Sequence, residues 1–124
     1  MTHKPTILVV DDDGPILLLM RNILREFGFE PLGASSGSEA LDLAREHRPD
    51  LVLLDKHMPG MTGDEVIRRL RSEPGLEDVP VLILSGEPLE PEELAEIGAT
   101  AAILKPFDVP ALIERIRATI GAAA

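Results

Sequence analysis

One stretch decides the fold predicted for this chain: Leu51-Val52-Leu53-Leu54-Asp55-Lys56-His57-Met58-Pro59-Gly60-Met61-Thr62-Gly63. Its four leading apolar residues predict a short strand buried on both faces, which is typical of a parallel sheet covered by helices. Asp55 ends that strand, at the position where open α/β sheets bind ligands. Pro59-Gly60 predicts a turn that carries the chain to a helix opening at Gly63. We therefore predict that Asp55 is the reactive residue.

The same alternation of strand and helix patterns extends over the rest of the chain. Further strands are predicted at residues 6–10, 31–34, 80–84 and 101–104. Helices are predicted at residues 14–27, from Ser36 or Ser38 to about 48, at 64–71, at 91–97 and at 109–120, with Gly121 beginning a tail. Because parallel strands need right-handed helical crossovers, this order predicts a doubly wound (βα)5 domain, a three-layer α/β sandwich. Arg68, Arg69 and Arg71 are expected on a solvated helix face.

Length and composition narrow the possible functions. With 124 residues, the whole chain (1–124) is expected to form one domain. No apolar run approaches the roughly 18 residues that span a bilayer, and no export signal is visible, so a cytoplasmic protein without membrane insertion is expected. The absence of cysteine excludes disulfides and thiolate chemistry. The formal charge of −10 disfavours direct nucleic-acid binding and favours basic partners or cations, although solubility alone also explains it.

Polar side chains follow the predicted strands at one edge of the sheet. Asp11 and Asp12 follow the first strand, Asp55 the third, Ser85 the fourth and Lys105 the fifth. If the first and third strands are neighbours, about 4.7–4.9 Å apart, their terminal carboxylates come close enough to share an ion. Such carboxylates repel each other, and a divalent cation would remove this repulsion. Oxygen ligands without thiols favour magnesium or manganese over zinc.

The charges of these side chains also suggest a reaction. Asp11, Asp12 and Asp55 carry −3 and Lys105 carries +1, so one divalent cation brings the local sum to zero. With a phosphoryl group present, Asp55 can act as nucleophile, the cation and Lys105 can neutralise the transferring oxygens, and Ser85 can donate a hydrogen bond to one of them. The pattern predicts phosphoryl transfer onto an aspartate. An acidic turn that only caps a helix is the simpler alternative for residues 11–13.

Four segments together resemble a known family. They are Val9-Val10-Asp11-Asp12-Asp13, Leu53 through Gly63, Ile83-Leu84-Ser85-Gly86 and Ile103-Leu104-Lys105-Pro106-Phe107. In this order and at this spacing they resemble the receiver domain of bacterial two-component response regulators, in its stand-alone, single-domain form. The resemblance covers nearly the whole chain and implies a flavodoxin-like sheet with strand order 2-1-3-4-5.

The resemblance implies a phosphorylation site and a metal site. Asp55 would receive the phosphoryl group from a sensor histidine kinase or a histidine phosphotransfer protein. Mg2+, or Mn2+, would be bound by the side chains of Asp12 and Asp55 and by the backbone carbonyl of His57, with Asp11 acting through water. Such a domain is not an enzyme towards other substrates, because it catalyses only phosphorylation and hydrolysis of its own aspartate.

The resemblance also implies how the signal leaves the site. Ser85 matches the Ser/Thr switch position, Lys105 the phosphate-pairing lysine, and Lys105-Pro106 the family's cis-proline junction. A downstream protein would bind the face formed by the fourth helix, fifth strand and fifth helix, and the chain would be a monomer or a weak phosphorylation-dependent dimer. Ala102 departs from the family, which usually has an aromatic residue there. We therefore predict that the signal runs from Ser85 through the following loop and helix, or that coupling is weak.

Two alternatives remain from the sequence. One is a pseudo-receiver, an interaction module that never takes phosphate, for which Ala102 is the supporting feature. The other is a phosphatase of the haloacid-dehalogenase type, whose Asp-x-Asp-Gly motif resembles Asp11-Asp12-Asp13-Gly14. Against the phosphatase, no acidic pair follows Lys105, and Asp55 would have no role.

Overall fold

The computed structural model describes residues 4–58 and 60–123, in which five parallel strands alternate with five helices. The strands are β1 (Thr6–Val10), β2 (Glu30–Ala34), β3 (Leu51–Asp55), β4 (Val81–Ser85) and β5 (Ala101–Leu104). The helices are α1 (Gly14–Glu26), α2 (Gly37–His47), α3 (Gly63–Ser72), α4 (Pro91–Ile97) and α5 (Val109–Ala123). The sheet order is β2-β1-β3-β4-β5, which confirms the predicted fold. Pro59, from the predicted turn, lies outside the described residues.

The register of the sheet brings the polar strand ends together. Val10 pairs with Leu54, so the residues that follow them, Asp11 and Asp55, leave β1 and β3 side by side. Ser85 pairs with Leu104 at the end of β5, and Lys105 follows directly. The carboxyl ends of four strands therefore meet at one edge of the sheet.

Two hydrophobic clusters cover the two faces of the sheet. One contains Leu54 and Ile83 and packs against residues of α2 and α3, while the other contains Leu53 and Leu82 and packs against residues of α1 and α5. Every residue of β3 and β4 is buried. This two-sided burial explains why these strands are continuous apolar runs and not alternating patterns.

Most helix boundaries follow the predicted cap residues, with one correction. Ser36 caps α2, since its Oγ accepts from the Glu39 N–H at 3.2 Å. The prediction that α5 stops at Ile120 is wrong, because α5 continues through Gly121 to Ala123. A glycine costs only about 1 kcal/mol relative to alanine inside a helix, and the alanines after it are the strongest helix formers. Gly121 therefore does not end the helix.

Helix α1 exposes more apolar surface than a one-sided helix needs. Met20 and Leu24 are buried against the sheet. Ile16, Leu18 and Leu19 remain 45%, 60% and 57% exposed. The apolar residues of α1 extend around more of its circumference than the sheet and α5 can cover, and this leaves an apolar surface near the polar edge of the sheet.

Arg71 is not on a solvated face, so that prediction is wrong for this arginine. Its side chain is half-buried and donates to backbone carbonyls of the α3–β4 loop and of Gly98. Burial lowers the pKa of its guanidinium from the ordinary value. Arg68 and Arg69 are exposed, as predicted. Arg71 differs because it lies on the side of α3 that faces the end of α4.

No helix of the described part of the chain combines the length and the apolar character needed to cross a membrane.

Candidate functional site

Asp55 and Lys105 form an ion pair at the polar edge of the sheet. Asp55 ends β3 and is 8% exposed, and its Oδ1 lies 2.9 Å from Nζ of Lys105. The backbone N–H of Lys105 donates to the carbonyl of Ser85 at 2.7 Å, which fixes the start of the lysine loop beside β4. The Lys105–Pro106 peptide is cis, as predicted. The structure thus joins two residues that are 50 positions apart in the sequence.

Three carboxylates converge beside this ion pair. Asp11, Asp12 and Asp55 each offer an oxygen, and these oxygens lie within 4.8 Å of one another. Asp11 is buried, and its Oδ1 accepts from the Asp13 N–H at 2.9 Å, while Asp12 is exposed. This spacing suits a divalent cation bound by oxygen ligands, part of whose coordination shell is water.

The electrostatics of Asp11 support a cation at this position. Burial raises the pKa of the Asp11 carboxyl, and the charge of Asp55 raises it further, against the opposing effects of the Asp13 N–H and of Lys105. The negative charge is therefore not fully compensated by the described side chains. A bound cation would supply the missing positive charge, so the residues present fit a metal ion.

Ser85 lies at the site, but its hydroxyl is bonded to the backbone of Glu87 and is not directed at the position of a phosphoryl group on Asp55. The residue is 1% exposed, its Oγ donates to the Glu87 carbonyl at 2.7 Å, and it accepts from the Glu87 N–H at 3.1 Å. Both bonds lie within a turn that begins directly after β4. Because these backbone groups are closer in sequence than any group across the site, the hydroxyl is satisfied locally.

The loop after Asp55 is shaped by Gly63. His57 lies in this loop with an exposed side chain, and the role of its carbonyl as a metal ligand stays a prediction. A Cβ at Gly63 would lie 3.3 Å from the carbonyl oxygen of Lys56 and 3.4 Å from that of Asp55. Such contacts are tight, so glycine allows α3 to begin directly against the backbone that carries Asp55.

An apolar groove borders the site, and the sequence did not predict it. This α1–α5 groove is a cavity of about 540 Å³ that reaches the side chains of Asp11 and Lys105. Its apolar lining comes from α1, from β4 and from the segment that leads into α5: Ile16, Leu19, Met20, Ile23, Leu84, Pro106, Phe107 and Val109. The excess of apolar residues around α1 was the available signal, but periodicity does not show which of them remain uncovered.

Comparison with known proteins agrees with this geometry. The sequence model of the response regulator receiver domain family matches residues 7–117. The polar-differentiation response regulator DivK of Brucella anthropi is 36% identical over 118 residues, which cover 94% of this chain and 96% of DivK.

Solved structures give the same result. Chemotaxis protein CheY4 of Vibrio cholerae superposes with a TM-score of 0.86 at 32% identity, covering 93% of this chain and 98% of CheY4. The N-terminal domain of a response regulator receiver protein from Methanoculleus marisnigri superposes with a TM-score of 0.76 at 42% identity, covering 90% and 93%. The chain therefore belongs to the response regulator receiver domain family of two-component signalling systems.

Proposed function

We propose that Asp55 accepts a phosphoryl group from a phosphohistidine of a partner protein. A carboxylate oxygen of Asp55 attacks phosphorus, and the new O–P bond replaces the P–N bond, whose electron pair remains on the imidazole nitrogen. Later attack of water on the same phosphorus releases inorganic phosphate and restores the carboxylate. Both steps are self-catalysed and act on this chain alone, so the protein is not an enzyme towards other substrates.

The observation that carries this proposal is the ion pair between Lys105 and Asp55. An ammonium group 2.9 Å from a nearly buried carboxylate is already placed where negative charge develops as the phosphoryl group arrives. The Lys105 side chain is 39% exposed and that of Asp55 is 11% exposed, so the lysine can move while the acid stays in place. We infer that Lys105 exchanges its carboxylate partner for a phosphoryl oxygen.

The metal in this proposal is Mg2+, with Mn2+ as a substitute. Asp12 and Asp55 would hold it through side-chain oxygens, His57 through its carbonyl, and Asp11 through water. When bound, the cation lowers the charge of the phosphoryl oxygens and so favours attack by a carboxylate. The support is the spacing of the three carboxylates and the raised pKa of Asp11.

Ser85 would act after the phosphoryl group has arrived. Its hydroxyl must leave Glu87 to donate to a phosphoryl oxygen, and this breaks the two bonds that close the turn after β4. A charged acceptor binds a hydroxyl more strongly than a neutral carbonyl does, which makes the exchange favourable. Phosphorylation of Asp55 would thereby loosen the segment that leads to α4.

The partners in this proposal bind different parts of the surface. The donor, a sensor histidine kinase or a histidine phosphotransfer protein, would dock on the α1–α5 groove, since that apolar surface adjoins Asp11 and Lys105. A downstream protein would bind the face of α4, β5 and α5. That protein would be basic, because residues 86–104 contain five glutamates and no lysine or arginine, and α5 adds only Arg115 and Arg117 against Glu114.

Several further parts of the proposal concern the protein as a whole. Residues 1–124 would act as one receiver domain in the cytoplasm, as a monomer or a weak phosphorylation-dependent dimer. Membership of the receiver family favours this function over the phosphatase alternative. A pseudo-receiver remains the alternative that the following experiment separates.

The test is phosphorylation by a small-molecule donor. Incubation with acetyl phosphate and Mg2+, followed by intact mass spectrometry, should show one added phosphoryl group on the wild type. Asp55→Asn should show none, while Asp42→Asn, on the exposed surface of α2, should behave as the wild type. A wild type that gains no phosphoryl mass would support the pseudo-receiver, and modification of Asp55→Asn would refute Asp55 as the acceptor.

A further inference from the structure

Helix α4 is attached to the rest of the domain differently at its two ends. None of its residues is buried, and its seven residues make it the shortest helix that the structure describes. An open cavity of about 290 Å³ lies between α3 and the last turn of α4, lined by residues of both helices and by Gly98. The helix is therefore held mainly through its ends, and the groups that hold each end decide how it can move.

The carboxyl-terminal end is held by Arg71. Its Nη2 and Nε donate to the carbonyl of Gly98 at 2.9 and 3.2 Å. Its Nη1 donates to the carbonyls of Val79 at 2.7 Å and Leu76 at 3.3 Å. Gly98 is the left-handed residue that ends α4, with φ 81°. One planar guanidinium thus joins the end of α4 to α3 and to the loop before β4.

The residues just after Gly98 are also held. The N–H of Thr100 donates to the Val81 carbonyl at 2.9 Å, and the Thr100 Oγ1 accepts from the Val81 N–H at 3.0 Å. These bonds fix the start of β5. Arg71 extends that fixed region by two residues, to the last turn of α4.

The amino-terminal end is connected to the functional site instead. The turn after β4 is closed by the two hydrogen bonds between the Ser85 hydroxyl and the backbone of Glu87. Glu90 and Glu93 form a capping box, in which the Glu90 N–H donates to Oε1 of Glu93 at 3.3 Å, and this stabilises the first turn of α4. The two bonds of Ser85 and the packing of Leu89 against the hydrophobic cluster of α2 and α3 hold this end, and only the Ser85 bonds reach the functional site.

We propose that Arg71 is a positioning residue that holds the carboxyl-terminal end of α4, so that release of the Ser85 hydroxyl from Glu87 displaces only the amino-terminal end. The inference rests on the proposed phosphorylation of Asp55 only for the event that turns Ser85. The displaced end carries Glu90, Glu92 and Glu93, so the motion would move an acidic surface relative to a docked basic partner.

Hydrogen exchange of single amides, followed by NMR, tests this in the unphosphorylated protein. Ser85→Ala removes both bonds to Glu87 without any phosphoryl group. It should speed exchange of the Glu87 amide about tenfold and change the Gly98 and Ala99 amides less than about twofold. Equal acceleration at Glu87 and Gly98 would overturn the proposal, because α4 would then move as a whole.

Arg71→Lys gives a second, independent measurement. The lysine keeps the charge but cannot donate to several carbonyls in the fork geometry, so exchange of the Gly98 and Ala99 amides should rise about tenfold. Arg68→Lys is the control, because Arg68 is an exposed arginine of α3 that lines the same cavity but makes no bond to the Gly98 carbonyl. Rates are compared with the Leu53 amide in β3, which reports global unfolding. The proposal fails if the exchange rates of the Gly98 and Ala99 amides are the same in Arg71→Lys and Arg68→Lys. It also fails if these rates rise in Arg71→Lys only as much as that of the Leu53 amide.

A phosphorylated sample separates this inference from the proposed function. With acetyl phosphate and Mg2+, the wild type should show faster exchange at Glu87 and unchanged exchange at Gly98 and Ala99. Intact mass of the same sample shows whether Asp55 was modified. An unmodified protein would refute the proposed function while the Ser85→Ala and Arg71→Lys results still decide the role of Arg71. A modified protein in which both ends accelerate would refute the inference alone.

Discussion

The hydroxyl of Ser85 is bonded twice to the backbone of Glu87, at 2.7 and 3.1 Å, while Lys105 on the neighbouring strand end already contacts Asp55. For the proposed phosphoryl transfer, the lysine is thus already in place, whereas the serine would have to reorient. Ser85 is the last residue of β4, and Lys105 directly follows the adjacent strand β5. Lys105 would therefore support the phosphoryl transfer, and Ser85 would respond to it.

Lys105→Gln should slow phosphorylation by acetyl phosphate about 100-fold, because the positive group aimed at the developing charge is lost. The rate is measured from the intact mass at increasing times. Lys56→Gln, which removes a lysine next to Asp55 in sequence, is the control and should stay within about threefold of the wild type. Equal rates for Lys105→Gln and the wild type would show that the ion pair has no part in the transfer.

Asp11→Asn should stabilise the metal-free protein near neutral pH. The raised pKa means that the folded chain holds this proton more tightly than the unfolded chain. Protonated Asp11 therefore contributes to the stability of the fold at pH values below its ordinary pKa of 3.8. This contribution is lost as the pH rises through the raised pKa of the folded state. Asparagine keeps an acceptor for the Asp13 N–H and removes the buried charge.

The expected gain for Asp11→Asn in EDTA is about 1 kcal/mol at about pH 7, or roughly 3 to 6 °C in Tm, and close to zero at about pH 3. Thermal unfolding followed by circular dichroism measures it. With excess Mg2+ the order should reverse, since ligand binding stabilises the wild type more. A variant that is less stable than the wild type in EDTA near neutral pH would contradict the account of Asp11.

Asp12→Asn should weaken Mg2+ binding about tenfold or more, because one of the three converging charges is removed. Isothermal titration calorimetry is the suitable measurement, since the chain has no tryptophan or tyrosine to report binding by fluorescence. Asp13→Asn is the matched control, because asparagine also caps α1 and Asp13 lies outside the three converging carboxylates. Equal losses in both variants would indicate a general charge effect and not a ligand.

Ala102→Tyr should leave the phosphorylation-dependent change at the Glu87 amide within about twofold of the wild type. The proposed route from Asp55 to α4 passes through the Ser85 turn, whereas Ala102 lies in β5 opposite Ile83. Hydrogen exchange with and without acetyl phosphate measures the change. A much larger response in Ala102→Tyr would show that coupling in the wild type is weak because an aromatic side chain is missing.

The sequence alone determined the architecture and the chemical groups of the site. Two continuous apolar runs ending in Asp55 and Ser85 predict the buried central strands, and the alternation with helices predicts parallel pairing. Parallel strands end on the same side, so Asp11, Asp55 and Lys105 were expected at one edge, and the structure places them there. The first of these features follows from the local periodicity of apolar residues, which the sequence shows directly. The second follows from the general rule that crossovers between parallel strands are right-handed.

Only the tertiary structure decided how each side chain is used. The sequence shows that Ile16 and Leu19 are apolar but not how much of each side chain is covered in the fold. Both remain exposed and line the α1–α5 groove. Arg71 looks like any other helical arginine until packing brings the Gly98 carbonyl, 27 residues away, within hydrogen-bond distance. Likewise, only the conformation of the turn after β4 shows that the Ser85 hydroxyl is bonded to Glu87. Burial and hydrogen bonding depend on distances between segments remote in sequence, which local patterns do not specify.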